Sequence, residues 1–97
     1  VAAESDNSLA FYDIAPQAPV HVLVVPKRHY TSVNDVTTKH PEVFDDLMFL
    51  AQEVAKQEGV KESGYRLVIN VGDDGQQTVG HLHVHVLGGR RMTWPPG

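Results

Sequence analysis

The chain has 97 residues, with 8 Lys and Arg against 12 Asp and Glu, giving a formal net charge of −4 when its 6 histidines are neutral. The absence of cysteine excludes disulfides and thiolate metal sites, and the lack of a clustered basic footprint argues against sequence-independent binding to polymeric DNA or RNA. No apolar stretch approaches the ~20 residues of a membrane span, and Val1-Ala2-Ala3-Glu4-Ser5-Asp6 has no signal-peptide pattern, so the expected setting is the cytoplasm, with the nucleus also open to it.

Residues 9–14, Leu-Ala-Phe-Tyr-Asp-Ile, predict a short strand, and Pro16 and Pro19 then mark a loop because each removes a backbone donor. Residues 20–25 predict a second strand, rich in β-branched side chains and stopped by Pro26. Val43, Phe44, Leu47, Met48, Ala51, Val54 and Ala55 recur at three- and four-residue spacing, the stripe of an amphipathic core-packing helix. Pro41 suits its first position and Gly59 its C-terminal cap. Residues 65–71 predict a third strand, Gly72-Asp73-Asp74-Gly75 a turn, and residues 79–87 a fourth strand antiparallel to the third. The fold class is therefore α+β, a mostly antiparallel sheet with one main helix packed on it, and residues 1–97 are expected to form a single domain.

The chemistry concentrates in His81-Leu82-His83-Val84-His85. Side chains alternate between the faces of a strand, so the three imidazoles share one face, roughly 7 Å apart at successive Cα atoms, while Leu82, Val84 and Val86 point to the core. By the same alternation His21 shares a face with Leu23 and Val25 and meets the cluster if the two strands are neighbours. His29, in a Lys-Arg-His turn, and His40, before the helix, are expected to be surface residues. Three readings stay open on spacing alone. A neutral imidazole can attack phosphorus while its neighbours set its tautomer. His-x-His-x-His can hold zinc. The row can also be simply an exposed strand face.

The surrounding residues carry a resemblance. His81-Leu82-His83-Val84-His85-Val86-Leu87 resembles the signature of the histidine triad (HIT) superfamily. Gly88-Gly89-Arg90, Trp94-Pro95-Pro96-Gly97, Asp13-Ile14-Ala15-Pro16-Gln17-Ala18-Pro19, His21, Val25-Pro26-Lys27 and Gly64-Tyr65-Arg66 are similar to its histidine triad nucleotide-binding branch. The similarity runs from about Leu9 to Gly97. It implies a HIT-like fold of about five strands, with the sheet extended across a homodimer. A partner subunit also suits a chain too small to bury a large core alone. Relative to the family domain, an N-terminal segment before the first strand is expected to be missing.

The resemblance further implies a phosphoramidase that cleaves the P–N bond of purine nucleoside 5′-phosphoramidates, adenosine preferred, without metal or cofactor. By position, His83 matches the nucleophile, His81 and His85 its flanking partners, and His21 a fourth histidine of the relay. Asp13 matches the acceptor of the ribose hydroxyls and Ile14 a contact to the base. Asn70, Gln77 and Thr78 match phosphate-side contacts, together with His83 and His85, and Trp94 matches a residue near the partner subunit's site. The implied ligand is a purine nucleotide such as AMP or an adenosine phosphoramidate. Three positions depart from the pattern: Gln76 stands where glycine is usual, Thr78 where serine is usual, and Gly80 where an aromatic residue is usual. The alternatives are a non-catalytic purine nucleotide-binding or scaffold protein, a zinc-binding protein, and other activities of the superfamily such as dinucleoside polyphosphate hydrolysis or nucleotidyl transfer.

Overall fold

Val20, Val22 and Val24 on one side of a β-branched run, and Val84 and Val86 on one side of another, need a common apolar partner, and the amphipathic helix supplies it. A computed structural model describes residues 1–97. In it, strands β1 (Ala3–Glu4), β2 (Ser8–Tyr12), β3 (Val20–Pro26), β4 (Tyr65–Val68) and β5 (Val84–Gly88) form one antiparallel sheet in the order β1-β2-β3-β5-β4. Helix α1 (Glu42–Gln57) covers one face, and a 3₁₀ turn at Val33–Asp35 lies between β3 and the helix. The core joins Ala10, Val22, Val24, Leu82, Val84 and Val86 of the sheet side to Leu47, Leu50, Ala51 and Val54 of the helix. Burying one such Leu or Val contributes about 1.5–3 kcal/mol.

The helix begins as the sequence indicates, with one difference. Pro41 is the cap rather than the first helical residue, and it offers no side-chain acceptor. The Glu42 carboxylate does that work from inside the helix: its own backbone N–H, then His40, hold its pKa below the usual carboxylate value. At the other end Gly59 takes φ 76°, and the N–H groups of Gly59 and Val60 return to the carbonyls of Lys56 and Ala55. Leu50, outside the predicted stripe, is buried in the core.

The expected strands shorten for identifiable reasons. Register pairs Val24 with Val84, which would set Pro26 opposite Leu82, but Pro26 has no N–H to offer. The Leu82 N–H bonds instead to the Tyr30 carbonyl at 2.7 Å, so residues 79–83 leave the ladder and β5 starts at Val84 rather than at 79. Only His85 of the histidine row lies in a strand, although Leu82 still points into the core. With β5 beginning there, residues 70 and 71 have no strand residue opposite them, and β4 ends at Val68 instead of 71. β2 ends at Tyr12 rather than 14 because the Asp13 side chain turns the chain by accepting the Ala15 N–H. β1 was not indicated by the sequence: two residues carry no readable period.

Candidate active site

The helix covers one face of the sheet and leaves the other to Phe11 of β2, to His21, Leu23 and Val25 of β3, and to His85 of β5, with His81 and His83 leading into β5. Antiparallel register does the assembly: Leu23 sits opposite both Phe11 and His85. Phe11, Leu23, Val25, Val79, His81 and His83 line a hollow of about 280 Å³ on this face.

Hydrogen bonds fix the imidazole tautomers in order. A backbone N–H can only donate, so the Gln17 N–H at 3.0 Å makes Nδ1 of His21 the bare nitrogen. Neutral His21 then carries its proton on Nε2, 2.8 Å from Nδ1 of His85, which must be bare to accept it. The proton of His85 is left on Nε2, which is buried and has no hydrogen-bond partner. An orphaned buried N–H costs about 1–3 kcal/mol, and such donors are retained where a ligand satisfies them. His85 also titrates below the ordinary histidine value, chiefly through desolvation and then the neighbouring charges of His83 and His21. It is held neutral in this tautomer.

His83 is ordered from the other side. Its Nδ1–H donates to the His81 carbonyl at 2.7 Å, which leaves Nε2 as an unprotonated lone pair. The residue is 8 % exposed and its ring centroid lies 4.9 Å from that of His85. A pre-aimed lone pair thus stands beside an unpaired donor, the arrangement required to attack an electrophile while binding the oxygen on which charge builds up.

Asp13 lies at the end of this row. Oδ1 is occupied by the Ala15 N–H at 2.8 Å, and Oδ2 faces His21 Nε2 at 3.5 Å. Asp13, His21 and His85 place one ligand atom each within 4.8 Å of one another, a spacing compatible with a metal ion. The donor set opposes it. A metal on Nε2 of His21 would need the proton on Nδ1, where the Gln17 N–H already points, whereas metal-bound histidines donate from their second nitrogen to an acceptor.

The structure therefore brings Asp13, His21, His81, His83 and His85 together. The other expected residues are not joined to this hydrogen-bonded row. Ile14 is fully exposed, and Trp94 is 81 % exposed with the Arg66 guanidinium 5.9 Å from its ring centroid. The Gln77 amide is committed to the loops, donating to Thr31 and Val79 carbonyls and accepting from Gly72 N–H. Thr78 is exposed and Asn70 half-buried beyond β4. Gln76 adopts φ 61°, the left-handed region, which explains physically why glycine suits this position. A Cβ on neighbouring Gly75 would stand 2.4 Å from the Val71 carbonyl oxygen, so that position requires glycine.

Sequence reasoning missed two features. Phe11 and Val79 line the hollow, and strand alternation from Leu9 could have flagged Phe11. His29, expected at the surface, is exposed but places Nδ1 2.7 Å from Nδ1 of His81. Its position after Pro26, in a loop returning toward residues 79–83, was the available signal.

Comparison with known proteins agrees with this architecture. The HIT domain family model matches residues 1–92. A maize protein named 14 kDa zinc-binding protein is 50% identical over 99 residues, spanning 100% of this chain and 77% of its own. Arabidopsis thaliana adenylylsulfatase HINT1 is 48% identical over 99 residues, spanning 100% of this chain and 67% of its own. The crystal structure of a HIT family hydrolase from Legionella pneumophila Philadelphia 1 superposes with a TM-score of 0.94 at 50% identity, covering 98% of this chain and 85% of that one. This chain belongs to the HIT domain family, whose histidine signature and five-stranded fold it carries.

Proposed function

We propose that this protein is a hydrolase that cleaves the P–N bond of purine nucleoside 5′-phosphoramidates, adenosine preferred, through a covalent nucleotidyl-His83 intermediate. One observation carries the reading: the 2.7 Å bond from His83 Nδ1–H to the His81 carbonyl, which presents a bare Nε2 to the open face of the sheet. That lone pair attacks the α-phosphorus, the P–N bond breaks, and the amine departs with a proton delivered through the Thr78 hydroxyl. The buried Nε2–H of His85 donates to a phosphoryl oxygen, and the ring of His83 becomes an imidazolium whose bond to the His81 carbonyl is now charge-assisted. Water then attacks phosphorus and the P–Nε2 bond breaks. The nucleoside monophosphate leaves, and the proton consumed in the first step is returned.

In this reading the apolar hollow beside His83 receives the base, the exposed Ile14 side chain packs on it when it binds, and Oδ2 of Asp13 accepts ribose hydroxyls. Asn70 serves the phosphate side, and Gln77, whose amide is held by Thr31, Val79 and Gly72, orders the loop that borders it. Zinc on the Asp13, His21 and His85 group is disfavoured by the donor facing His21 Nδ1. The homodimer belongs to the same reading, supported by β4 lying at the sheet edge and by the exposure of Trp94. No helix is long and apolar enough to cross a membrane, and we place the activity in the cytoplasm.

The test is turnover of a small panel of adenosine and guanosine phosphoramidates with rapid quenching and intact-mass detection. A transient protein species heavier by one nucleotidyl group supports the reading. Hydrolysis with no such adduct at any time, or AMP binding with no turnover across the panel, overturns it.

A further inference from the structure

The loop after β3 folds back along residues 77–83. Gln77 donates to the Thr31 carbonyl at 2.7 Å, Leu82 N–H to the Tyr30 carbonyl at 2.7 Å, and His81 Nε2 lies 3.1 Å from the Pro26 carbonyl. The same loop delivers His29, whose ring lies 4.8 Å from that of His81, tilted by 51°.

The two contacts of His81 determine who donates. Nε2 faces a carbonyl, which only accepts, so it bears the proton, and Nδ1 of the neutral ring is bare. His29 must then be the donor, from Nδ1–H, across the 2.7 Å contact. Both nitrogens of His81 are consequently engaged by the loop, although the ring itself lines the hollow. What His81 gives to the reactive row is its main-chain carbonyl, the acceptor for Nδ1–H of His83.

We propose that His29 is a positioning residue: it clamps the His81 ring against the loop and thereby holds the carbonyl that sets the tautomer and aim of His83. This rests on the reading of His83 as nucleophile for its kinetic consequence, but the clamp itself is independent of any substrate. In it His81 acts on His83 through its backbone carbonyl.

The experiment uses the full chain, ¹⁵N-labelled, with H29F and H29N. Long-range ¹H–¹⁵N spectra of the imidazoles should show His81 as the Nε2–H form with a hydrogen-bonded Nδ1, and His83 as the Nδ1–H form. In H29F the His81 Nδ1 signal should move to that of a free nitrogen and His83 should divide between tautomers. In the same variant kcat on adenosine phosphoramidate should fall about five-fold with KM nearly unchanged, the rate equivalent of ~1 kcal/mol. H29N, whose amide nitrogen stands where Nδ1 stood, should restore both readouts. Unchanged His81 and His83 spectra in H29F overturn the clamp. Altered spectra with unchanged kcat overturn its link to His83. Altered spectra in a protein that turns over no phosphoramidate at all support the clamp while removing the proposed function.

Discussion

Asparagine and glutamine at position 83 separate what the His83 ring does for the fold from what it does for chemistry. Asparagine places an amide nitrogen near the site of Nδ1 and can keep the bond to the His81 carbonyl, now 2.7 Å long, while removing Nε2. Glutamine reaches the site of Nε2 and abandons that carbonyl. The carbonyl of half-buried His81 then loses its donor, at a cost of about 1–3 kcal/mol. For a domain of this size that corresponds to a Tm fall of about 4–8 °C for each kcal/mol. His83→Asn is expected to melt within about 3 °C of wild type, bind AMP nearly as well, and lose at least about a thousandfold in kcat, or ~4 kcal/mol of transition-state stabilisation. His83→Gln is expected to be equally inactive and clearly less stable. Thermal melts, AMP titration and single-turnover hydrolysis measure the three quantities. If His83→Asn hydrolyses adenosine phosphoramidate within tenfold of wild type, Nε2 of His83 is not the nucleophile and the tautomer reasoning fails with it.

Gln76→Gly should raise stability by about 1 kcal/mol in urea denaturation, because it relieves a left-handed residue at φ 61°; a loss of stability would mean that the glutamine side chain contributes more than its backbone costs. The depressed pKa of His85 means that the unfolded chain binds this proton more readily than the folded one. Its contribution to stability is therefore full above the ordinary value of 6.5 and is lost as pH falls toward the lower folded value. Urea midpoints measured across that range should decline in wild type and decline less in His85→Phe; parallel curves would show that another group is responsible. Leu47→Ala, at a site with no exposure, should cost about 2–5 kcal/mol in the same assay, and a cost below ~1 kcal/mol would show that the helix is not what seals the core.

Strand and helix identity were legible because Val20, Val22 and Val24, and Leu47, Ala51 and Val54, repeat with the periods of the elements they occupy. So was the common face of His21 and His85, since alternation needs only parity. Element ends were not legible, because they depend on what lies opposite: residues 79–83 have strand composition, but Leu82 among them falls opposite Pro26, a partner that cannot donate. The His29–His81 contact joins residues 52 apart and arises from a loop path that no local pattern encodes. The tautomers were likewise hidden, since they are set by the Gln17 N–H and by two main-chain carbonyls rather than by the identity of any side chain.

Because one face of the sheet is sealed by the helix and the other is open, adjacent residues of β3 and β5 answer to different selective pressures. Val22, Val24, Val84 and Val86 are fully buried, whereas Leu23, Val25 and His85 between them look outward. A complete substitution scan read for both protein abundance and turnover would separate these two sets position by position. Inward sites would lower the amount of protein, and outward sites would leave the amount intact and change what it does. Substrate preference can therefore drift along these strands without the core having to change.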